Sequence, residues 1–152
     1  DALAPFKCLA PEQDPKPLNY LRSESDRTYD IHLEVNLTPE SSDTSETIVR
    51  SNFNYLYWDV HQQLAHHTAT GCNVRTGDLM ASGTISGPAK KSRGSLLELT
   101  WRGEEPITLS NGEIRKFLQD GDTVTLTGWC QGDGYRVGFG ECVGQILQAT
   151  EE

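Results

Sequence analysis

Hydrophobic and polar side chains alternate from position 28 to position 38. The apolar side of the alternation consists of Tyr29, Ile31, Leu33, Val35 and Leu37. Because successive side chains of an extended chain point to opposite faces, this period of two predicts a β-strand with one buried face. A polar turn follows at 39–45, and a second, shorter strand is predicted at 46–50.

The pattern changes to a helical period after position 52. The apolar positions are Phe53, Leu56, Tyr57, Val60, Leu64 and His67, which share one face at about 100° per residue. Ser51 and Asn52 supply N-cap chemistry before this run, and Gly71 can end it. The sequence therefore predicts one main α-helix at about 52–69.

Apolar runs of strand length occupy much of the remaining chain, at 79–85, 95–101, 123–130, 135–139 and 143–147. Turn residues separate several of them, as at Asn111-Gly112 and Gly132-Asp133-Gly134, and we interpret Asp120-Gly121-Asp122 as another turn. Many short strands beside one helix predict a mainly β fold, either a mixed β-roll or a β-sandwich.

The prolines divide the chain into two parts. Pro5, Pro11, Pro15 and Pro17 lie within residues 1–27, which we predict to be an extended, proline-rich connector. Residues 28–148 are then the β-rich domain. A chain of 152 residues is long enough for one domain with a sizeable core.

Composition and charge narrow the class of protein. The formal net charge of −9 argues against binding to nucleic acid or to an anionic membrane surface. No apolar run approaches the roughly 20 residues that span a bilayer, and the first residues lack the features of a secretory signal. We therefore expect a cytoplasmic protein. Because Met80 is the only methionine, we also expect the chain to be part of a longer protein.

The cysteines and histidines do not predict a metal site. No CxxC pair occurs among Cys8, Cys72, Cys130 and Cys142, so we expect reduced structural thiols. His66 and His67 lie five and six residues after His61, and these offsets point away from the face of His61 on a helix. We predict no metal ligand in this chain, and we predict that His67 is a hydrogen-bonded core residue.

Two segments carry candidate chemistry. In Ser82-Gly83-Thr84-Ile85-Ser86-Gly87-Pro88, small hydroxyl residues between glycines allow a ligand to approach the backbone closely. Downstream, Glu98 lies inside the apolar run Leu97-Glu98-Leu99, where a carboxylate needs a partner. From the residues alone, we favour an ordinary glycine-rich strand-to-loop junction for the first segment. For the second, we favour a strand with a salt bridge from Glu98 to Arg50, Arg75, Arg93 or Arg102.

An ordered set of motifs resembles the C-terminal part of the fumarylacetoacetate hydrolase family. These motifs include RSNF (50–53), YW (57–58), QQL (62–64), GCN (71–73), GDL (77–79), ASGTISGP (81–88), LEL (97–99), DGD (120–122) and CQGDGYRVGFG (130–140). The resemblance runs from about Asp1 to Gln148. One departure is Arg93, where family members tend to carry an aromatic residue.

The resemblance implies a fold, a reaction and two site residues. It implies the C-terminal fold of this family and hydrolysis of the carbon–carbon bond of 4-fumarylacetoacetate to fumarate and acetoacetate, the last step of tyrosine and phenylalanine catabolism. Glu98 matches the acid that orients and charges the catalytic histidine, and Thr84 matches a substrate-contacting residue.

The resemblance also implies that this chain holds only half of the site. The catalytic histidine and the carboxylates that bind a divalent cation, calcium or magnesium, belong to the N-terminal remainder of the same protein, and none of the four histidines here matches the catalytic one. We expect the isolated chain to be inactive and the complete enzyme to be a homodimer. The alternative is a non-catalytic binding or assembly domain that keeps the fold.

Overall fold

The computed structural model describes residues 1–22 and 27–150. The described part is mainly β, and its largest element is a four-stranded antiparallel sheet in the order β4-β3-β7-β8. Two small antiparallel sheets pair β1 with β2 and β5 with β6. The strands are β1 (Lys7–Leu9), β2 (Arg27–Tyr29), β3 (His32–Thr38), β4 (Glu46–Asn52), β5 (Ile107–Thr108), β6 (Ile114–Arg115), β7 (Thr123–Gln131) and β8 (Arg136–Gln145), and the helices are α1 (Val60–Thr68) and α2 (Leu96–Leu99). The predicted mainly β fold with one main helix is confirmed.

The alternating segment at 28–38 forms two strands instead of one. β2 pairs with β1, whereas β3 lies inside the four-stranded sheet. The chain changes sheets at Asp30 and Ile31, where the Asp30 N–H donates to the Phe6 carbonyl (2.9 Å) and the Ile31 carbonyl accepts from the Phe53 N–H (2.9 Å). Ile31 is buried at this change. One continuous alternation of apolar residues therefore contributes one strand to each of two sheets.

The N-terminal residues contribute to the core. Phe6 closes a 3-10 turn at Ala4–Phe6 and is buried with Ile31 and Cys130. Partly buried side chains pack around these three, namely Leu3, Tyr29, Leu33, Phe53 and Val137. The described part of the predicted connector thus contains β1 and 3-10 turns as well as extended chain, and positions 23–26 of that connector lie outside the described residues.

β8 is one strand where the sequence predicted two, at 135–139 and 143–147. Its pairing with β7 shifts between Thr127 and Trp129, so that Phe139 and Gly140 together lie opposite one residue of β7. Gly140 has a φ of 80°, a left-handed conformation that glycine adopts without steric cost. A β-bulge therefore interrupts the hydrophobic period but not the strand.

The main helix begins later than the sequence predicted. Asn52 caps only a short 3-10 turn at Phe53–Tyr55, by accepting a hydrogen bond from the Asn54 N–H. α1 begins after Asp59, whose carboxylate accepts from the Gln62 N–H (2.8 Å) while the Gln62 side chain accepts from the Asp59 N–H (3.0 Å). This reciprocal capping box starts the helix at Val60.

The predicted apolar face of the helix is not buried within this chain. Val60 and Leu64 are exposed, and the buried residue of α1 is Gln62. The Gln62 amide donates to the Leu21 carbonyl (2.9 Å) and thus connects α1 to the N-terminal residues. The prediction of a core histidine was wrong: His67 is exposed, and its Nε2 lies 3.3 Å from the sulfur of exposed Cys72.

Two other predicted strands are absent. Residues 79–85 form no regular structure, and Leu79 is 98% exposed. Residues 95–101 contain α2, because the Ser95 side chain caps the Glu98 N–H (3.3 Å) and the Ser95 carbonyl accepts from the Leu99 N–H (2.9 Å). Across the described ranges, no helix has the length and apolar character needed to cross a bilayer.

Candidate active site

The glycine-rich loop at 81–88 is anchored to the main sheet at one point. Ser51 of β4 donates its hydroxyl to the Ile85 carbonyl at 2.8 Å. Thr84, the residue before this anchor, is exposed. The anchor fixes the backbone beside Thr84 while its side chain stays accessible.

A serine-rich turn then brings the chain back beside the same loop. The Gly87 N–H donates to the Ser92 carbonyl (2.8 Å), and the buried Ser92 hydroxyl lies 3.0 Å from the Ala89 nitrogen that donates to it. A Cβ atom at Gly94 would lie 2.8 Å from the backbone nitrogen and oxygen of Ile85. Only a glycine at position 94 permits this close approach of two backbone segments.

Glu98 lies on α2 and its carboxylate is held by serine hydroxyls. Ser86 donates to Oε2 of Glu98 at 2.5 Å, and the Ser95 hydroxyl lies 3.5 Å from the same oxygen. Glu98 is exposed. The strand prediction for this residue was therefore wrong, since Glu98 is on a short helix whose N-cap is Ser95.

The salt-bridge interpretation of Glu98 does not hold within the part of the chain that the structure describes. Arg50 pairs with Glu34 instead, at 2.6 Å. Arg93 donates to the backbone carbonyl of Glu98 (3.1 Å), not to its carboxylate, and its guanidinium lies 5.6 Å from the ring centre of Trp101. Arg93 thus packs on an aromatic residue next to α2.

The C-terminal end of α2 is held tightly. Thr100 is fully buried, and its hydroxyl bonds to the Leu96 carbonyl (2.7 Å) and the Lys116 carbonyl (3.0 Å). Trp101 and Arg102 follow with φ values of 50° and 59°. This left-handed conformation is unfavourable for non-glycine residues and persists only where the surroundings impose it. The helix that carries Glu98 is therefore mounted rigidly.

The structure places Thr84 and Glu98 on one connected unit. Thr84 is two residues before Ser86, and Ser86 contacts the Glu98 carboxylate. No hydrogen bond joins Thr84 directly to Glu98 in the described ranges. The connecting residue, Ser86, was not singled out from the sequence. Its only signal was the recurrence of serine at 86, 92 and 95 around the turn.

The described residues do not form a ligand set for a metal ion. Residues 1–22 and 27–150 contain no group of three or more histidine, cysteine, aspartate or glutamate side chains that could hold one. His32 stacks on Trp129 with ring centres 5.5 Å apart, and Nδ1 of His66 lies 3.2 Å from the Tyr20 hydroxyl. These histidines are engaged with aromatic residues, far along the chain from Glu98.

Comparison with known proteins identifies the family. The family model of the fumarylacetoacetate (FAA) hydrolase C-terminal region matches residues 8–147. Fumarylacetoacetase of Homo sapiens is 57% identical over 149 residues, which are 98% of this chain and 36% of the human protein. The Arabidopsis thaliana fumarylacetoacetase is 58% identical over 147 residues (97% and 35%), and that of Caenorhabditis elegans is 49% identical over 149 residues (98% and 35%).

These matches cover nearly the whole chain but only about a third of the length of each relative. They confirm the resemblance to the C-terminal part of this family, which was drawn from motifs along nearly the whole chain. The family model spans most of the chain, and the relatives are identical to it at about half of the aligned positions or more. Both findings assign the chain to the same family. The chain belongs to the fumarylacetoacetate hydrolase family and corresponds to its C-terminal portion.

Proposed function

We propose that this chain is the C-terminal catalytic part of a fumarylacetoacetase, which hydrolyses the carbon–carbon bond of 4-fumarylacetoacetate to fumarate and acetoacetate, the last step of tyrosine and phenylalanine catabolism. The family assignment supports a hydrolase. The observation that carries the proposal is the arrangement around Glu98, an exposed carboxylate held at one oxygen by Ser86 and mounted on a rigid short helix.

Glu98 has the geometry of an acid that orients a histidine. The hydrogen bonds from Ser86 and Ser95 both involve Oε2, which leaves Oε1 available to a group from outside the described residues. A carboxylate that accepts the N–H of an imidazole keeps that ring in one tautomer and stabilises the imidazolium formed when the ring removes a proton from water. We propose that a histidine from the N-terminal remainder of the protein takes this position.

Two observations support Thr84 as a substrate contact. It is exposed on the anchored glycine-rich loop, and its hydroxyl makes no hydrogen bond within the described residues. A hydroxyl can donate to a carboxylate of the substrate or accept from a protonated group. We propose that Thr84 binds a carboxylate end of the diketone.

Residues 1–22 and 27–150 do not offer a set of ligands that fits the divalent cation of the family. Neither Thr84 nor Glu98 lies in a cluster of potential ligands, and the described ranges hold no such cluster. We therefore propose that calcium or magnesium binds to carboxylates of the N-terminal remainder.

The surface of the chain supports its association with other protein. Among the described residues, 20 large hydrophobic side chains are exposed and 8 hydrophobic residues are buried. Burial of such side chains against other protein is favourable, because it removes apolar surface from water. We propose that the N-terminal remainder and a second copy in a cytoplasmic homodimer cover this surface.

A chimeric enzyme tests the proposed function. In this chimera, our chain replaces the matching 149-residue segment of the human fumarylacetoacetase, and the release of fumarate and acetoacetate from 4-fumarylacetoacetate is measured. We expect turnover by the chimera and none by the isolated chain. A chimera that folds and assembles like the human enzyme but releases neither product would contradict the proposal and favour a binding or assembly domain.

A further inference from the structure

We propose that Ser86 is a positioning residue, which holds the Glu98 carboxylate through Oε2 so that Oε1 faces the catalytic histidine. The inference rests on the proposed function. Its starting point is the 2.5 Å hydrogen bond between the Ser86 hydroxyl and Oε2, which joins two residues 12 positions apart in the sequence.

The direction of this hydrogen bond follows from a second contact. The Gly94 N–H donates to the Ser86 oxygen at 2.9 Å. A backbone N–H can only donate, and a serine hydroxyl has a single proton. Because the Ser86 oxygen accepts from Gly94, its proton is free to point toward Glu98. The hydrogen bonds thus run in one direction, from Gly94 through Ser86 to the carboxylate of Glu98.

The serine itself is immobilised on both sides. Its preceding residue, Ile85, is bound to β4 through the Ser51 hydroxyl (2.8 Å), and the next residue, Gly87, is bound to the Ser92 carbonyl (2.8 Å). Gly94 packs directly against the Ile85 backbone. Ser86 therefore acts from a fixed backbone, and the orientation of Glu98 follows from the main sheet.

Fixing one carboxylate oxygen has a chemical consequence. A glutamate side chain has several rotatable bonds, and a free carboxylate would point toward the histidine only part of the time. A hydrogen bond to a charged group is short and strong, so it selects one orientation. Catalysis by an oriented pair is sensitive to displacements of about 1 Å. Loss of Ser86 should thus slow the chemical step without weakening substrate binding.

The kinetic test uses three variants of the chimera described above. Ser86→Ala removes the hydroxyl and Ser86→Thr keeps it. Ser41→Ala removes a serine–carboxylate hydrogen bond, to Glu113, that does not involve Glu98. We expect Ser86→Ala to lower kcat by about 10- to 150-fold, the usual effect of losing a hydrogen bond to a charged group, with KM unchanged. Ser86→Thr should restore most of the rate, and Ser41→Ala should match the parent.

A structural test uses the chain itself. High-resolution crystal structures of the chain and of its Ser86→Ala variant should show one orientation of the Glu98 carboxylate in the parent and several in the variant. An unchanged orientation in Ser86→Ala, or a kcat equal to that of the parent chimera, would overturn the positioning role. If the parent chimera folds and assembles like the human enzyme but is inactive, the proposed function fails, and the crystal structures still decide whether Ser86 holds Glu98.

Discussion

Arg115 and Asp122 form a two-point ion pair inside the protein, with Nε–Oδ2 and Nη2–Oδ1 distances of 2.9 Å each. Asp122 is fully buried, and the Arg115 side chain is only 5% exposed. The Gln119 N–H donates to the same Oδ2 at 2.9 Å, and Glu113 lies 2.7 Å from Nη2 of Arg115. The pair joins β6 to the residue before β7.

Removal of the charge of Asp122 should destabilise the chain. In Asp122→Asn, the buried Arg115 loses the carboxylate that binds it at two points but keeps Glu113. Breaking a buried ion pair at one partner typically costs 3–5 kcal/mol, and because Glu113 remains we expect a loss of about 3 kcal/mol. Urea unfolding at pH 7 measures it. The control is Glu105→Gln, which breaks the exposed pair with Lys90 and should change the stability little. Equal effects of the two variants would contradict a special role for Asp122.

The same pair should make the stability fall in acid. Burial by itself raises the pKa of Asp122, but the hydrogen bonds from Arg115 and Gln119 and the charge of Arg115 outweigh it, and the pKa is lowered. A carboxylate with a lowered pKa in the folded state contributes stability above the unfolded pKa of about 3.9. This contribution is lost as the pH falls below that value toward the folded pKa. Unfolding free energies measured between pH 6 and pH 2 should show the loss, and Asp122→Asn should flatten the curve. A parallel pH dependence in the variant would assign the loss to other carboxylates.

Glu98→Gln in the chimera should lower turnover far more than substrate binding. The amide can still accept a hydrogen bond but cannot stabilise an imidazolium. By analogy with other oriented histidines, we expect kcat to fall on the order of 10²-fold or more with KM nearly unchanged. Steady-state kinetics beside Glu105→Gln as the control check this expectation. An unchanged kcat with a raised KM would mean that Glu98 has no part in the chemical step.

Thr84→Val should weaken substrate binding and preserve the fold. The two side chains are nearly the same size, so the variant removes the hydroxyl and little else. A hydrogen bond to a charged ligand contributes roughly 1.5–3 kcal/mol, or about 10- to 150-fold in affinity. To test this, we would measure KM, the affinity of a substrate-like inhibitor and the melting temperature of the chimera. The control is Thr44→Val, at another exposed threonine. Unaltered affinity with a lower melting temperature would rule out substrate contact.

The isolated chain should have no tight site for a divalent cation. Tight calcium or magnesium sites need several oxygen ligands in one place, and the described residues contain no cluster of three potential ligands. Calorimetric titration of the chain with each cation is expected to give no single-site binding in the micromolar range. One such site per chain would show that the cation ligands are not confined to the N-terminal remainder.

The pattern of apolar and polar residues was sufficient to predict secondary structure where interactions between neighbouring residues determine it. The alternation from Tyr29 to Leu37 determined an extended chain, because the period of two is a property of any strand. Motif order identified the family and named Glu98 and Thr84, since a long ordered set of identities carries more information than any spacing rule. Neither the alternation of apolar residues nor the order of the motifs shows which distant residues a side chain contacts.

One local cap and several distant contacts decided the rest of the structure. Ser95 turned an apolar run into the helix that carries Glu98, because a cap satisfies backbone N–H groups that a strand would pair elsewhere. Ser86 reached Glu98 only because the turn at 87–94 folds back on Ile85. Asp122, which the sequence marked as a turn residue, is buried because Arg115 from another strand neutralises its charge. The sequence by itself determined the family, the mainly β class and two candidate site residues. The tertiary structure decided which residues bind the carboxylates of Glu98 and Asp122, because burial and pairing depend on residues that meet only after folding.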